Sequence, residues 1–214
     1  MARIEPFEEY SDEYDHWFTV NKALYDAELE TIRQLMPPAG AESLEVGVGS
    51  GKFAAPLGIT TGVEPSEKMA AKARKLGIEV VPGVAEDLPF SGSRFDLVLM
   101  VTTICFVDDA LLSFKEALRV LKISGCIIVG FVDKESELGR QYQKKKNTHK
   151  FYRDATFYSV PEVLSCLKAA QFHVADIRQT LVHGEPPQTV LDGFGRGAFV
   201  AVKAAKAVPK EQRL

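Results

Sequence analysis

The 214 residues suffice for one sizeable hydrophobic core and fall short of two, and 46% apolar with 26% charged residues is the make-up of an ordinary globular protein. A formal charge of −3 leaves nucleic acid and anionic membrane outside the expected partners, because both recruit a basic surface. No apolar run approaches the roughly 20 residues that span a bilayer, and Glu8, Glu9, Asp12 and Glu13 stand where a signal peptide needs an apolar stretch, so a cytoplasmic location is expected.

Cys105, Cys126 and Cys166 are odd in number, widely spaced and without a Cys-x-x-Cys or a nearby histidine pair. They read as reduced, mostly buried thiols, with no metal site expected.

Over 14–36, Tyr14, Trp17, Phe18, Tyr25, Leu29, Ile32 and Leu35 recur at helical spacing until Pro37 and Pro38 forbid continuation. The segment is an amphipathic helix with room for a kink. Short β-branched runs then alternate with helical stretches: strands over 43–48, 59–63, 78–81, 95–101 and 126–132, helices over 51–57, 66–76 and 108–121. Such alternation implies right-handed crossovers and a parallel sheet covered on both faces, with ligands beyond the carboxyl ends of the strands.

Ser159-Val160-Pro161-Glu162 is a capping box that opens a helix to Ala170. Two further strands, 172–181 and 197–204, are separated only by the turn-rich 182–196 and should pair antiparallel. The expected fold is α/β: a Rossmann-like, seven-stranded, mostly parallel sheet with helices on both faces, an antiparallel C-terminal strand and an N-terminal helical cap. Residues 1–214 read as one domain, with the cap over 1–38, the core over 42–204, and 133–158 as a candidate acceptor-side cap. Lys144, Lys145 and Lys146 read as a solvated helix face, and the Ala/Lys-rich C-terminal tail is expected to fray.

The chemistry concentrates after the first strand, where Leu44-Glu45-Val46-Gly47-Val48-Gly49-Ser50-Gly51 runs from a buried strand into three alternating glycines and then a helix. Glycine permits positive φ and lets a ligand approach the backbone, and a helix N-terminus offers unpaired N–H groups to negative charge. The next strand ends in Gly62-Val63-Glu64-Pro65-Ser66, which places a carboxylate at the neighbouring strand's carboxyl edge, able to accept both hydroxyls of a ribose. Gly49-x-Gly51-x-x-Ala54 also satisfies the dinucleotide fingerprint, so an NAD(P)-dependent oxidoreductase stays open on this pattern. Against it, the dinucleotide fold carries its acid about 20 residues beyond the glycines, whereas Glu64 follows Gly51 after a short helix and strand.

Five stretches in order resemble the class I S-adenosylmethionine-dependent methyltransferases over nearly all of 43–203. They are the glycine-rich stretch, Gly62 to Ser66, Gly83-Val84-Ala85-Glu86-Asp87-Leu88-Pro89-Phe90, Phe95-Asp96-Leu97-Val98-Leu99, and Ala117 to Gly125. The chain is also similar to small stand-alone bacterial and archaeal members, some labelled histamine N-methyltransferase. The resemblance implies S-adenosylmethionine as cofactor and methyl transfer by in-line displacement to a small-molecule acceptor, with a non-catalytic cofactor-binding module as a further alternative. It implies that Gly47, Gly49 and Gly51 back the methionyl end, Glu45 closes that pocket near the amino group, and Glu64 takes the ribose. Pro65 and Met69 would flank the adenine, Ala85 and Glu86 would contact its edge, Thr102 would floor the sulfonium, and Tyr14 would reach the methionyl carboxylate. Val84 stands where many relatives have an adenine-contacting aspartate, so that contact must come from Glu86, backbone or water.

No catalytic residue is assigned. If the acceptor must lose a proton, His149, His183, His16 and Asp133 are the candidates in or near cap segments. The aromatics Tyr142, Phe151, Tyr152, Phe157 and Tyr158 read either as an acceptor-pocket roof or as a satellite core, and Gly193 to Gly197 as a mobile acceptor-side loop or a hairpin bend.

Overall fold

The structure, a computed structural model, describes residues 4–206; the part of the tail expected to fray that lies beyond residue 206 is outside the described residues. The N-terminus forms three helices, α1 (Glu5–Glu9), α2 (Ser11–Val20) and α3 (Lys22–Arg33). The single helix expected over 14–36 is thus divided, because Asn21 leaves helical geometry at φ −102° and ψ 37°. Its side-chain amide donates to the Trp17 carbonyl at 3.0 Å, ending one helix where the next begins.

The alternating part follows as β1 (Ser43–Val46), α4 (Ala54–Leu57), β2 (Thr61–Val63), α5 (Glu67–Lys75), β3 (Glu79–Val81), β4 (Phe95–Val101), α6 (Ala110–Val120) and β5 (Leu121–Val132). Ser66 and Asp109 cap α5 and α6, each side chain accepting the N–H of the residue three places on. The chain ends with α7 (Glu137–Lys145), α8 (Val160–Ala169), β6 (Phe172–Val182), β7 (Leu191–Asp192) and β8 (Gly197–Lys206). Ser159 and Glu162 form the expected capping box at α8, and Lys144 and Lys145 are exposed on the last turn of α7.

One sheet results, in the order β3-β2-β1-β4-β5-β8-β6-β7. The first five strands are parallel, and β8 inserts antiparallel between β5 and β6, as the short 182–196 connection requires. The sheet has eight strands rather than the expected seven. The extra one, β7, is a two-residue pairing against β6 inside the turn-rich stretch, too short to show a period-two pattern.

Side chains alternate across the sheet, so β4 sends Val98 and Met100 to one face and Leu97, Leu99 and Val101 to the other. On the first face α6 and α8 contribute Phe114, Ala117, Val163 and Leu167; on the second, Phe18, Ile32, Ala54, Ala70 and Ala73 come from α2 to α5. Each fully buried aliphatic contributes about 1.5–3 kcal/mol, which holds both helical layers to the central strands. No helix among the described residues is long and apolar enough to cross a membrane.

From β1 the chain winds outward to β2 and β3, then returns to the other side of β1 as β4. The crossovers therefore part between β1 and β4 and leave a crevice beyond their carboxyl ends.

Candidate active site

The bend after β1 places Gly47, Gly49 and Gly51 at φ +69°, +54° and +83°, a region that glycine enters without steric cost. Gly47 and Val48 both donate N–H groups to the Val63 carbonyl, at 2.8 and 3.0 Å, which locks the bend to the end of β2. Thr103, just after β4, donates its hydroxyl to the Val46 carbonyl at 3.1 Å and closes the other side.

Glu64 leaves the end of β2 into this crevice and is 9% exposed. Its Oε2 accepts the Gly49 N–H and its Oε1 the Ser66 N–H, both at 2.9 Å. Burial raises its pKa, and those two N–H groups pull it back. A carboxylate has about four acceptor positions, so each oxygen keeps capacity toward the crevice, enough for two neighbouring hydroxyls.

The crevice encloses about 690 Å³ when its open mouth is counted. Gly47, Gly49, Glu64, Pro65, Met69, Ala85, Glu86, Thr102 and Tyr14, nine of the residues singled out from the sequence, line it together. Val63, Met69, Val84, Ala85 and Val107 make its apolar slot. Val84 bridges to Asp87 through backbone alone, and the Asp87 side chain is exposed. Glu86 is half committed: its Oε1 accepts the N–H groups of Asp108 and Asp109 at 2.7 and 3.2 Å, tying the 83–90 loop to the start of α6. Thr102 holds φ +53°, an unusual conformation for a β-branched residue, and donates its N–H to the Gly130 carbonyl at 2.7 Å.

Two expected residues do not line the crevice directly. A Cβ on Gly51 would lie 2.7 Å from Ile78 Cδ1 and 3.2 Å from Leu76 Cδ1, so this glycine serves the packing of the bend on α5 and not the crevice wall. Glu45 is 2% exposed and sits behind the bend, because alternation along β1 turns it to the face opposite Leu44 and Val46. Desolvation drives its pKa well above the ordinary carboxyl value, and among the described residues no donor reaches its Oε2.

The nicotinamide reading weakens on the same geometry. A pyrophosphate needs open backbone at the fingerprint glycines and a helix behind them, but side chains crowd Gly51 and α4 is a four-residue turn.

The N-terminal helices close over the crevice through contacts the sequence did not announce. Glu8 on α1 accepts from the Ser66 hydroxyl at 2.6 Å and the Lys68 N–H at 3.2 Å, while Ser50 donates to Asp15 at 2.5 Å. Lys72 reaches Asp12 and Asp15 at 2.6 and 3.1 Å. Ile4 and Phe7 are thereby brought onto the crevice wall, and Phe7 packs edge-on against Tyr14 and Phe106.

A second cavity, about 1110 Å³ including its mouth, opens beside the first and shares Tyr14 and Thr102 with it. Trp17, Phe18, Tyr142, Phe151 and Tyr152 wall it, so three of the five aromatics of 133–158 line this cavity, and Tyr142 and Tyr152 also stack on each other. His149 lines it too, stacked 4.5 Å from the Tyr152 ring, with Nδ1 accepting the Phe151 N–H at 3.3 Å; burial lowers its pKa. The other candidate bases stand apart. His16 is exposed, His183 is exposed beside Glu137, and the Asp133 Oδ1 accepts the Glu135 N–H at 3.0 Å beneath a separate depression. Gly193 to Gly197 form a hairpin bend pinned by Gln179, whose Oε1 accepts from Arg196 and Gly197 at 2.8 and 2.7 Å; Arg196 lines that same separate depression.

Sequence reading also missed Glu28, which lies in the second cavity at 5% exposure. The signal was present: Glu28 is four residues before Ile32 on the buried stripe of α3, where a charge is out of place.

Sheet order, the antiparallel β8 and a carboxylate-bearing crevice at the strand reversal define a Rossmann-like α/β enzyme of the nucleoside-cofactor class. Residues 44–129 match the family model described as a methyltransferase domain. An uncharacterized protein of Methanocaldococcus jannaschii is 40% identical over 203 residues, spanning 94% of this chain and 98% of that one. An uncharacterized protein of Mycobacterium tuberculosis is 33% identical over 202 residues, 89% of this chain and 70% of that one. A crystal structure from Thermotoga maritima, described as a SAM-dependent methyltransferase and possible histamine N-methyltransferase, superposes with a TM-score of 0.91 at 44% identity over 95% of this chain and 100% of that one. The chain belongs to the S-adenosylmethionine-dependent methyltransferases, and S-adenosylmethionine is its cofactor.

Proposed function

We propose that the protein transfers a methyl group from S-adenosylmethionine to a small-molecule acceptor that enters through the aromatic cavity. The observation that carries this reading is that the crevice and the cavity meet at Tyr14 and Thr102. A cofactor in the first would thus face an acceptor in the second.

The residues fit the cofactor. Glu64 offers the acceptor capacity that a ribose diol needs, and Val63, Met69 and Ala85 offer an adenine slot. Gly47 and Gly49 keep side chains off the bend where the methionyl end would lie, and an ammonium there supplies a donor for the orphaned Glu45 Oε2 behind it. When bound, the cofactor supplies an activated methyl on a sulfonium. The protein's part is orientation: Thr102 and Tyr14 set the floor and wall where the acceptor atom must come within about 3–3.5 Å of the reacting carbon. Phe7, in ring contact with Tyr14, Phe106 and Phe151, makes with them an apolar cluster that excludes water from that junction.

Reduced thiols at Cys105, Cys126 and Cys166 and the mild acidity support a cytoplasmic enzyme whose partner is a small molecule and not a nucleic acid or a membrane. Calorimetric titration with S-adenosylhomocysteine and with NADH tests the cofactor half of the reading. Saturable binding of the first and none of the second is expected; binding of NADH alone defeats the proposal. Release of S-adenosylhomocysteine over an acceptor panel tests the other half.

A further inference from the structure

Glu28 is a carboxylic acid without a counter-charge. At 5% exposure it faces the aromatic cavity, and among the described residues no donor hydrogen-bonds its carboxyl. An isolated buried carboxylate is costly, so the group answers by holding its proton, and burial pushes its pKa up to about 8. The titratable groups around it are Tyr14 from α2, Tyr25 on α3 itself, Tyr142 from α7 and Tyr152 from the following loop. All four phenols are raised in pKa and carry no charge near neutrality. His149, on the same wall, is shifted toward its neutral form. The cation at the cavity, Lys150, is taken by Glu13 at 2.5 Å and lies 4.2 Å from the Tyr10 ring centroid.

The protein thus builds an acid into an aromatic cavity and provides no positive group to meet it. A ligand cation would do so. It would restore the ionised form of Glu28 by offering charge and N–H donors together, and the aromatic wall of the cavity would add to the attraction. A neutral or anionic acceptor would bring no positive charge to the group and would leave Glu28 in its protonated form.

We propose that this cavity receives the acceptor as a protonated amine, with Glu28 as the carboxylate partner of its ammonium group and the surrounding aromatic rings as a cation-binding wall. This rests on the methyltransferase reading of the adjoining crevice. Glu28 acts here on the acceptor's charged nitrogen and sets which molecules are admitted.

Trp17 is the sole tryptophan of the chain and lies in the cavity wall, so its fluorescence reports occupancy directly. With S-adenosylhomocysteine saturating, the full chain and Glu28→Gln are titrated with 2-phenylethylamine, 2-phenylethanol and 3-phenylpropionate. The amine is expected to bind the wild type about tenfold or more tighter than either the alcohol or the carboxylate. Glu28→Gln is expected to remove that preference, lowering amine affinity about tenfold while the alcohol changes less than about twofold. Equal wild-type affinities for amine and alcohol, no saturable amine binding, or an undiminished amine affinity in a folded Glu28→Gln each overturn the proposal. The wild-type comparison decides the matter by itself if the variant does not fold. Titration of S-adenosylhomocysteine in the same preparations separates the two readings: its failure to bind defeats the methyltransferase assignment, whereas its binding without amine preference defeats the amine site alone.

Discussion

The Gly49 N–H donates to the Glu64 Oε2 at 2.9 Å, so the bend after β1 and the acid after β2 form one hydrogen-bonded unit. The carboxylate that faces the crevice is held in place by the backbone of the bend that borders it. Loss of either element disturbs the other.

Glu64→Ala removes the group assigned to the ribose and frees the Gly49 and Ser66 N–H groups. Affinity for S-adenosylhomocysteine should fall by about 1.5–3 kcal/mol, roughly tenfold to more than a hundredfold. Calorimetry on the folded variant measures this, and an unchanged dissociation constant removes the ribose assignment.

Gly51→Ala should cost stability and spare the cofactor. The new methyl would press on Ile78 Cδ1 at 2.7 Å, at a φ of +83° that alanine tolerates poorly, for a loss of about 1–3 kcal/mol. Urea denaturation should show that loss, while cofactor affinity in the folded fraction changes less than about threefold. Gly47→Ala is the contrast: its methyl would lie 2.5 Å from Thr103 Cγ2 inside the crevice, so cofactor affinity should suffer directly. Equal effects of the two substitutions on binding would contradict these placements.

Stability of the cofactor-free protein should fall as pH rises through neutrality. Glu28 has a folded pKa of about 8 against an ordinary 4.5, so between those values the folded chain keeps a proton that the unfolded chain has released. Raising the pH in that window favours the unfolded chain by about 1.4 kcal/mol per pH unit for one such proton. The penalty is absent below the lower value and complete above the upper one. Glu45 and Glu64, also raised, act in the same direction. Urea denaturation at about pH 5.5 and 7.5 should show the decline, and Glu28→Gln should reduce its slope by close to one proton's share. An identical slope in the variant would show that Glu28 is not held protonated in the fold.

Much of this was legible in the sequence, because the signals are local. Hydrophobic runs along β1, β4 and β5 carry their burial in composition, glycines at the bend mark the positions where φ turns positive, and Ser159 with Glu162 announce their own cap. The order of those signals was enough to place Glu64 beside the bend, since successive β-α-β units must cross over with one hand. What failed locally did so for stated reasons. A two-residue β7 has no pattern to detect, and Asn21 breaks a helix without disturbing the apolar spacing on either side.

The roles of individual side chains depended on contacts between distant segments. Gly51 packs toward Ile78, Glu8 closes α1 onto Ser66, and Glu28 meets Tyr142 and Tyr152 across a cavity assembled from α2, α3 and the 133–158 excursion. The sequence alone determined the α/β order, the crevice at the strand reversal and the cofactor-binding motif, since backbone preference and hydrophobic period act between near neighbours. Only the tertiary structure decided which buried acids lack partners and where the aromatic wall stands, because burial and charge are set by whatever surrounds a group in space.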